Sequence, residues 1–176
     1  MAERMGLSAL LKSDADPVDS PAGRRRAKDA VLQYFRAVAA GDRTALGAIL
    51  TDDAIYEIPL SESGSTESGQ YRRFEGRAAV VEFWMVTLKA GVKSLGSSDV
   101  ELSITPDGSR LFIEQRGDMV MPDGTPYKNR YVFRFSIVDG KISHVREYLN
   151  PITAAYVFRR KIANQFLLEP LKPDTM

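Results

Sequence analysis

The segment SHVREYLNP, Ser143 to Pro151, sets a carboxylate among the apolar residues of a strand-like run. In an extended chain alternate side chains share a face, so Val145, Glu147 and Leu149 point the same way. If that face is the interior, Glu147 is a carboxyl group stripped of water, and lost hydration favours its protonated form. A group so tuned can exchange protons near neutrality, which is what a general acid or base must do. The competing reading is a strand-end carboxylate paired with an arginine such as Arg116 or Arg134. A close guanidinium would hold the carboxyl ionised and make it an orienter of charge rather than a proton carrier.

A second group lies in EQRGD, where Glu114, Arg116 and Asp118 alternate along one face and Ile113, Gln115, Gly117 and Met119 occupy the other. Spacing leaves two readings open. The three charges are a solvated face, or they are a buried cluster whose members must pair with one another, since an isolated buried charge is very costly. Tyr56 and Tyr131 are strand aromatics whose phenols could donate to a developing oxyanion. Asn129 shares a face with Tyr131 and could orient a carbonyl, while Phe83 and Trp84 read as core or pocket wall. His144, the one histidine, is an odd number of residues from Glu147 and so falls on the opposite face with Arg146 and Tyr148.

Bulk composition narrows the chemistry available. A chain of 176 residues, 44% hydrophobic and 27% charged, suits one soluble domain with a real core. A formal net charge of +1 supplies no global field toward nucleic acid or an anionic membrane, and neither is expected as a partner. The absence of cysteine and the single histidine remove disulfides, thiolate nucleophiles and nearly every zinc site, so no metal and no cofactor are expected. The basic run GRRRAKD lacks interleaved aromatics and reads as a solvated helix end. GLSALL is too short and too poorly flanked for a secretory signal, so the expected location is the cytoplasm.

Several elements must position these residues. Residues 1 to 22 read as a flexible arm, 23 to 160 as the folded domain and 161 to 176 as a tail. Val31, Tyr34, Phe35 and Val38 fall at helical spacing in a first helix beginning at Arg24 and ending at Gly41-Asp42. RTALGAIL is a short second helix, AIYEIPL a strand, and SESGSTESGQYRR a polar loop. EGRAAVVEFWMVTLKAG is a third helix through Val80, Phe83, Trp84 and Leu88. Three Asp-Gly turns then separate alternating segments over residues 92 to 149, the signature of an antiparallel meander. Helices first and sheet last give an α+β class. A final short helix from Ile152 would carry Tyr156, Phe158 and Phe166.

The segments LTDDAIYEIP, FEGRAAVVEFW, YKNRYVFRFSIVDGKI and REYLNP, in this order of elements, resemble the SnoaL-like, ketosteroid-isomerase-like branch of the nuclear transport factor 2-like superfamily. The resemblance implies a curved antiparallel sheet forming a cone, with the third helix on its concave face and an apolar pocket between them. It also implies a homodimer through the outer sheet face. The closing Arg-Glu-aromatic-x-Asn-Pro motif is similar to that of phenazine-biosynthesis A/B proteins, which implies an acid/base role for Glu147. A weaker likeness to limonene epoxide hydrolase, carried by Arg116, Asp118, Glu147 and Tyr56, implies that Arg116 and Asp118 face the pocket. Ile58 stands where that family has an asparagine that helps hold the attacking water.

The resulting expectation is a cofactor-free isomerase, cyclase or lyase acting on a hydrophobic oxygenated small molecule of aromatic, polyketide or terpenoid type. Glu147, Arg116, Asp118 and Tyr56 are the expected catalytic residues; Glu114, Asn129, Tyr131, Trp84 and Phe83 are expected to bind substrate. The alternatives are an epoxide hydrolase using Arg116, Asp118 and Glu147, and a non-enzymatic ligand-binding or dimerisation module.

Overall fold

The computed structural model describes residues 18–60, 67 and 69–160. Helix α1, Pro21–Ala40, starts earlier than the apolar periodicity alone indicates. Ser20 Oγ accepts from the Gly23 amide at 3.0 Å, and Pro21 suits a first turn where no amide partner is needed. Of the arm expected over residues 1 to 22, Pro21 and Ala22 therefore belong to the helix, and residues 1–17 lie outside the described residues. The helix start docks on a distant turn: the Ser20 amide donates to Pro106 O at 2.9 Å. A Cβ on Gly23 would fall 2.3 Å from Asp107 O, so only glycine allows this approach. Gly41, with φ of 64°, closes the helix in the left-handed conformation.

Helix α2, Arg43–Ile49, is capped by Asp42, whose carboxylate accepts from the Ala45 amide at 2.9 Å. Strand β1, Leu50–Ile58, follows it directly. Strand β2, Arg72–Glu75, pairs antiparallel with β1 although its sequence reads as loop; its four residues are too short to show a period. Helix α3, Arg77–Lys89, comes next and buries Val80, Val81 and Met85. The meander of β3 (Lys93–Ile104), β4 (Arg110–Val120), β5 (Pro126–Val138) and β6 (Lys141–Leu149) then runs without a helix, as the turns predict. Asp139 and Gly140, at φ of 50° and 77°, give the two positive values that a tight two-residue hairpin turn demands.

The six strands form one curved, unclosed sheet in the order β2-β1-β6-β5-β4-β3. All neighbours pair antiparallel except β1 and β6, which are parallel. Along β5 the inner face is Tyr127, Asn129, Tyr131, Phe133, Phe135 and Ile137, all buried in strict alternation. Of these, Tyr131, Phe133, Phe135 and Ile137 join Val31 and Tyr34 of α1, Leu46 of α2, Val80 and Met85 of α3, and Tyr56 and Val145 in one core. Helix α4, Pro151–Val157, is capped by Asn150, whose side chain accepts from the amides of Ile152 at 3.0 Å and Thr153 at 3.3 Å. Phe158 just beyond it packs edge-on against Tyr127, ring centroids 5.4 Å apart. Phe166, read as part of this helix, lies outside the described residues.

Candidate active site

The parallel pairing of β1 with β6 sets Tyr56 opposite Val145, which leaves Glu147 one step along the same inner face. There the Tyr56 hydroxyl donates to Glu147 Oε2. Tyr56 is fully buried and Glu147 is 8% exposed. The wall around them is aromatic. Phe83 of α3 lies 4.8 Å from the Tyr56 ring and stacks on Phe74 of β2 at 4.4 Å, and Trp84 meets Tyr56 edge-on at 5.5 Å. Trp84 Nε1 also donates to the Tyr34 hydroxyl at 2.6 Å, so the Tyr34 phenol accepts one hydrogen bond and keeps its own proton to give.

Burial pushes the Glu147 carboxyl up to about 7, with the Tyr56 hydrogen bond pulling the other way. Among the described residues no cation contributes to that balance. The titratable side chains that feel its charge are phenols, Tyr34, Tyr56, Tyr127 and Tyr131, and burial moves each of them upward, so all remain protonated as donors. Among the described residues none donates to Glu147 Oε1, and that oxygen is not among the sealed, unpartnered polar atoms. Among the described residues, the carboxyl is hydrogen-bonded by Tyr56 alone, through Oε2. The sequence alternatives for Glu147, arginine partner or proton carrier, divide here: Arg116 and Arg134 both stand on the other side of the sheet.

The register decides that point. Arg116 pairs across from Arg130 and Asp118 from Lys128, on the face opposite Asn129 and Tyr131. Asp118 is met there by Lys128 Nζ at 3.6 Å. Glu114 also faces outward and lines a groove of about 370 Å³ with Asp99, Glu101, Arg130 and Tyr148. The expectation that Arg116, Asp118 and Glu114 face the pocket is thus corrected. Ile113 and Met119 pack against the core on the other face of β4, and that apolar set fixes which way the charges turn.

Tyr131, Phe83 and Trp84 do sit on the inner side with Glu147. The Tyr131 ring lies against Gly117, where a Cβ would come within 2.8 Å of it. Asn129 is on that side too, yet its side chain serves the backbone. Its oxygen accepts from the amides of Arg130 at 2.8 Å and Asn150 at 3.0 Å. Its nitrogen donates to Asn150 O at 3.1 Å and to the Tyr127 hydroxyl at 3.2 Å, which uses every position the amide has. Asn129 fixes the turn that carries Glu147 into α4.

The model of the SnoaL-like domain matches residues 7–145. The chain belongs to the SnoaL-like family. The match stops two residues short of Glu147, so that carboxyl lies just beyond the segment on which membership rests. A structure of an isomerase candidate from Bacillus subtilis superposes with a TM-score of 0.66 at 19% identity, covering 80% of this chain and 98% of that one. A polyketide cyclase candidate from Xanthomonas campestris pv. campestris gives 0.61 at 24% identity, covering 74% and 95%. The epoxide hydrolase/cyclase-like enzyme SalBIII, linked to pyran ring formation in the polyether salinomycin, gives 0.56 at 26% identity, covering 73% and 94%. The uncharacterized protein YesE of Bacillus subtilis (strain 168) is 26% identical over 111 residues, 61% of this chain and 69% of its own. Among the described residues no helix is long and apolar enough to cross a membrane, and no group of histidine, aspartate and glutamate is arranged to hold a metal ion.

This SnoaL-like chain carries a second buried carboxylate that the sequence reading passed over. Glu57, next to Tyr56, is fully buried on the outer side of β1. Its Oε1 accepts from Arg146 Nε and its Oε2 from Arg73 Nη1 at 2.5 Å. Burial opposes its charge, but the two arginine hydrogen bonds outweigh burial and hold the carboxyl below the usual range. His144 Nε2 stands 3.0 Å from Oε1, off the hydrogen-bonding direction, and burial holds the imidazole down. Two signals in AIYEIP pointed here: a charge between Tyr56 and Ile58, and apolar residues on both faces of the strand. Tyr34 was also passed over as a site residue, because its helical spacing marks it equally as core.

Proposed function

We propose that this protein is a cofactor-independent acid/base enzyme that moves a proton on a hydrophobic, oxygenated small molecule. Isomerisation, cyclisation and elimination all need this chemistry. One observation carries the reading: Glu147 is buried with, among the described residues, a phenol and no cation for a partner, which leaves its carboxyl near neutrality. In the proposed step Glu147 Oε1 takes a proton from carbon next to a carbonyl, the C–H bond breaks, and its electron pair moves to the carbonyl oxygen as an enolate. A buried phenol such as Tyr34, its oxygen already accepting from Trp84, donates to that oxygen. Glu147 then returns the proton to another carbon, or the enolate expels a leaving group. Tyr56 stays on Oε2 throughout and orients the carboxyl.

The likeness to SalBIII, linked to pyran ring formation in a polyether, supports an oxygenated substrate class. Epoxide opening through Arg116 and Asp118 lacks its geometry, since both stand on the outer face. The test is solvent deuterium exchange into a panel of enolisable hydrophobic ketones and 1,3-dicarbonyl compounds, read by mass spectrometry. The wild-type protein should catalyse exchange, and Glu147→Gln should lose roughly 100-fold or more, the scale of general acid/base catalysis. Equal exchange by the two proteins sinks the proposal. Ligand binding without exchange in either favours a binding module.

A further inference from the structure

The inner and outer faces of β1 and β6 are linked by two adjacent pairs of residues. Tyr56 bonds Glu147 inside, and their chain neighbours Glu57 and Arg146 bond outside. The strands that carry them are weakly registered. Leu50 pairs with Ile142 and Ile55 with His144, so five steps along β1 run beside two along β6. Beyond that irregularity, pairing covers only Ile55, Tyr56 and Glu57 against His144, Val145 and Arg146. Three residues of parallel ladder hold register poorly, and a slip of one residue would turn Tyr56 to the outer face.

We propose that the outer pair of Glu57 and Arg146 is a register lock between β1 and β6, and that Glu57 is the positioning residue that keeps the Tyr56 hydroxyl on Glu147. Each carboxylate oxygen of Glu57 takes one arginine. Arg146 ties β1 to β6, and Arg73, directly opposite Glu57 in the antiparallel pair, ties β1 to β2. A buried ion pair adds little net stability over apolar packing, whereas its directional, charge-assisted bonds fix geometry. The unbroken ladder beyond the irregularity is three residues long, and the pair sits one residue from the inner bond. The inference rests on the acid/base reading for its functional meaning, but its test uses no turnover.

Label the glutamate carboxyls with ¹³C, assign the Glu147 signal by its loss in Glu147→Gln, and titrate it by NMR with and without Tyr56→Phe. In the wild-type background, removing the hydroxyl removes the bond that favours the ionised form. The midpoint should rise, by about tenfold in the acid dissociation constant, for one hydrogen bond to a charged acceptor. In Arg146→Met and Glu57→Gln backgrounds the same change should have less than about a twofold effect, because Tyr56 is no longer held in place. Arg73→Met leaves the Arg146 bond intact and should keep the wild-type response. A full response in folded Arg146→Met and Glu57→Gln overturns the lock, as does a lost response in Arg73→Met, which would mark general loosening. Should both test backgrounds fail to fold, Arg146→Lys gives the reading: a diminished response supports the lock and an undiminished one overturns it. A wild-type midpoint far below neutrality would remove the acid/base reading while leaving the Tyr56 response, and so the lock, measurable.

Discussion

Replacing Glu147 by Gln should make the protein gain stability relative to wild type as pH rises through the range from 4.5 to about 7. The folded carboxyl is pushed up to about 7 from an ordinary 4.5. Between those values the unfolded chain has released the proton and the native chain still holds it. The native state then binds more protons, so stability falls as pH rises through this window and levels off above the folded midpoint. At about 1.4 kcal/mol for each pH unit of separation, the cost of the ionised native carboxyl is about 3 kcal/mol. The variant has no proton to lose. Relative to wild type it should gain about 3 kcal/mol between pH near 4 and pH near 8, or roughly 6 to 12 °C in melting temperature for a domain of this size. Any fixed cost of seating the new amide is the same at both ends and cancels. So do the other titrations, such as that of Asp107, held at about 2 chiefly by its hydrogen bond from Thr105. Urea unfolding of both proteins at the two pH extremes measures the difference. An offset that does not change with pH would refute the reasoning, because it would mean that Glu147 is not a buried group titrating near neutrality.

Other outcomes follow from the same geometry. Gly117→Ala should destabilise by about 1 to 3 kcal/mol in urea unfolding, since its Cβ would press on the Tyr131 ring at 2.8 Å. Asp118→Asn, on the outer face, should leave exchange activity within about threefold of wild type, as for an ordinary surface change; a loss as large as that of Glu147→Gln would reinstate Asp118 as catalytic. We also propose a homodimer through the outer sheet face, where Tyr148 is 36% exposed, and sedimentation should return twice the chain mass at micromolar concentration.

What the sequence disclosed and what it hid have physical causes. The meander was legible because each Asp-Gly pair forces a tight turn and each intervening strand alternates in polarity, so local chemistry names both the ends and the faces. Glu147 was legible for the same reason, between Val145 and Leu149. The pairing of Arg116 and Asp118 with the pocket came from likeness and conflicted with Ile113 and Met119, whose apolar side chains claim the interior of β4. A period of two admits only one winner, and burying the apolar set is cheaper than burying three charges. Strand β2 and the Glu57 cluster were hidden because they exist only through contacts between distant segments. Arg73 and Arg146 reach Glu57 across strands, and nothing in either segment alone announces the meeting.

Two glutamates in neighbouring strands thus meet opposite fates for a reason that the sheet itself supplies. Glu57 and Glu147 are both buried, and both lie where β1 and β6 run side by side. Facing outward, Glu57 can recruit arginines whose stems cross the sheet surface while part of each side chain still reaches water, Arg73 being 27% and Arg146 35% exposed. Facing inward, Glu147 has, among the described residues, one hydrogen-bond donor, the phenol of Tyr56. A guanidinium beside Glu147 would have secured its charge and removed its use as a proton carrier. Placing the ion pair on the reverse side of the same strands gives the junction its fixed geometry and leaves the carboxyl inside free to titrate near neutrality.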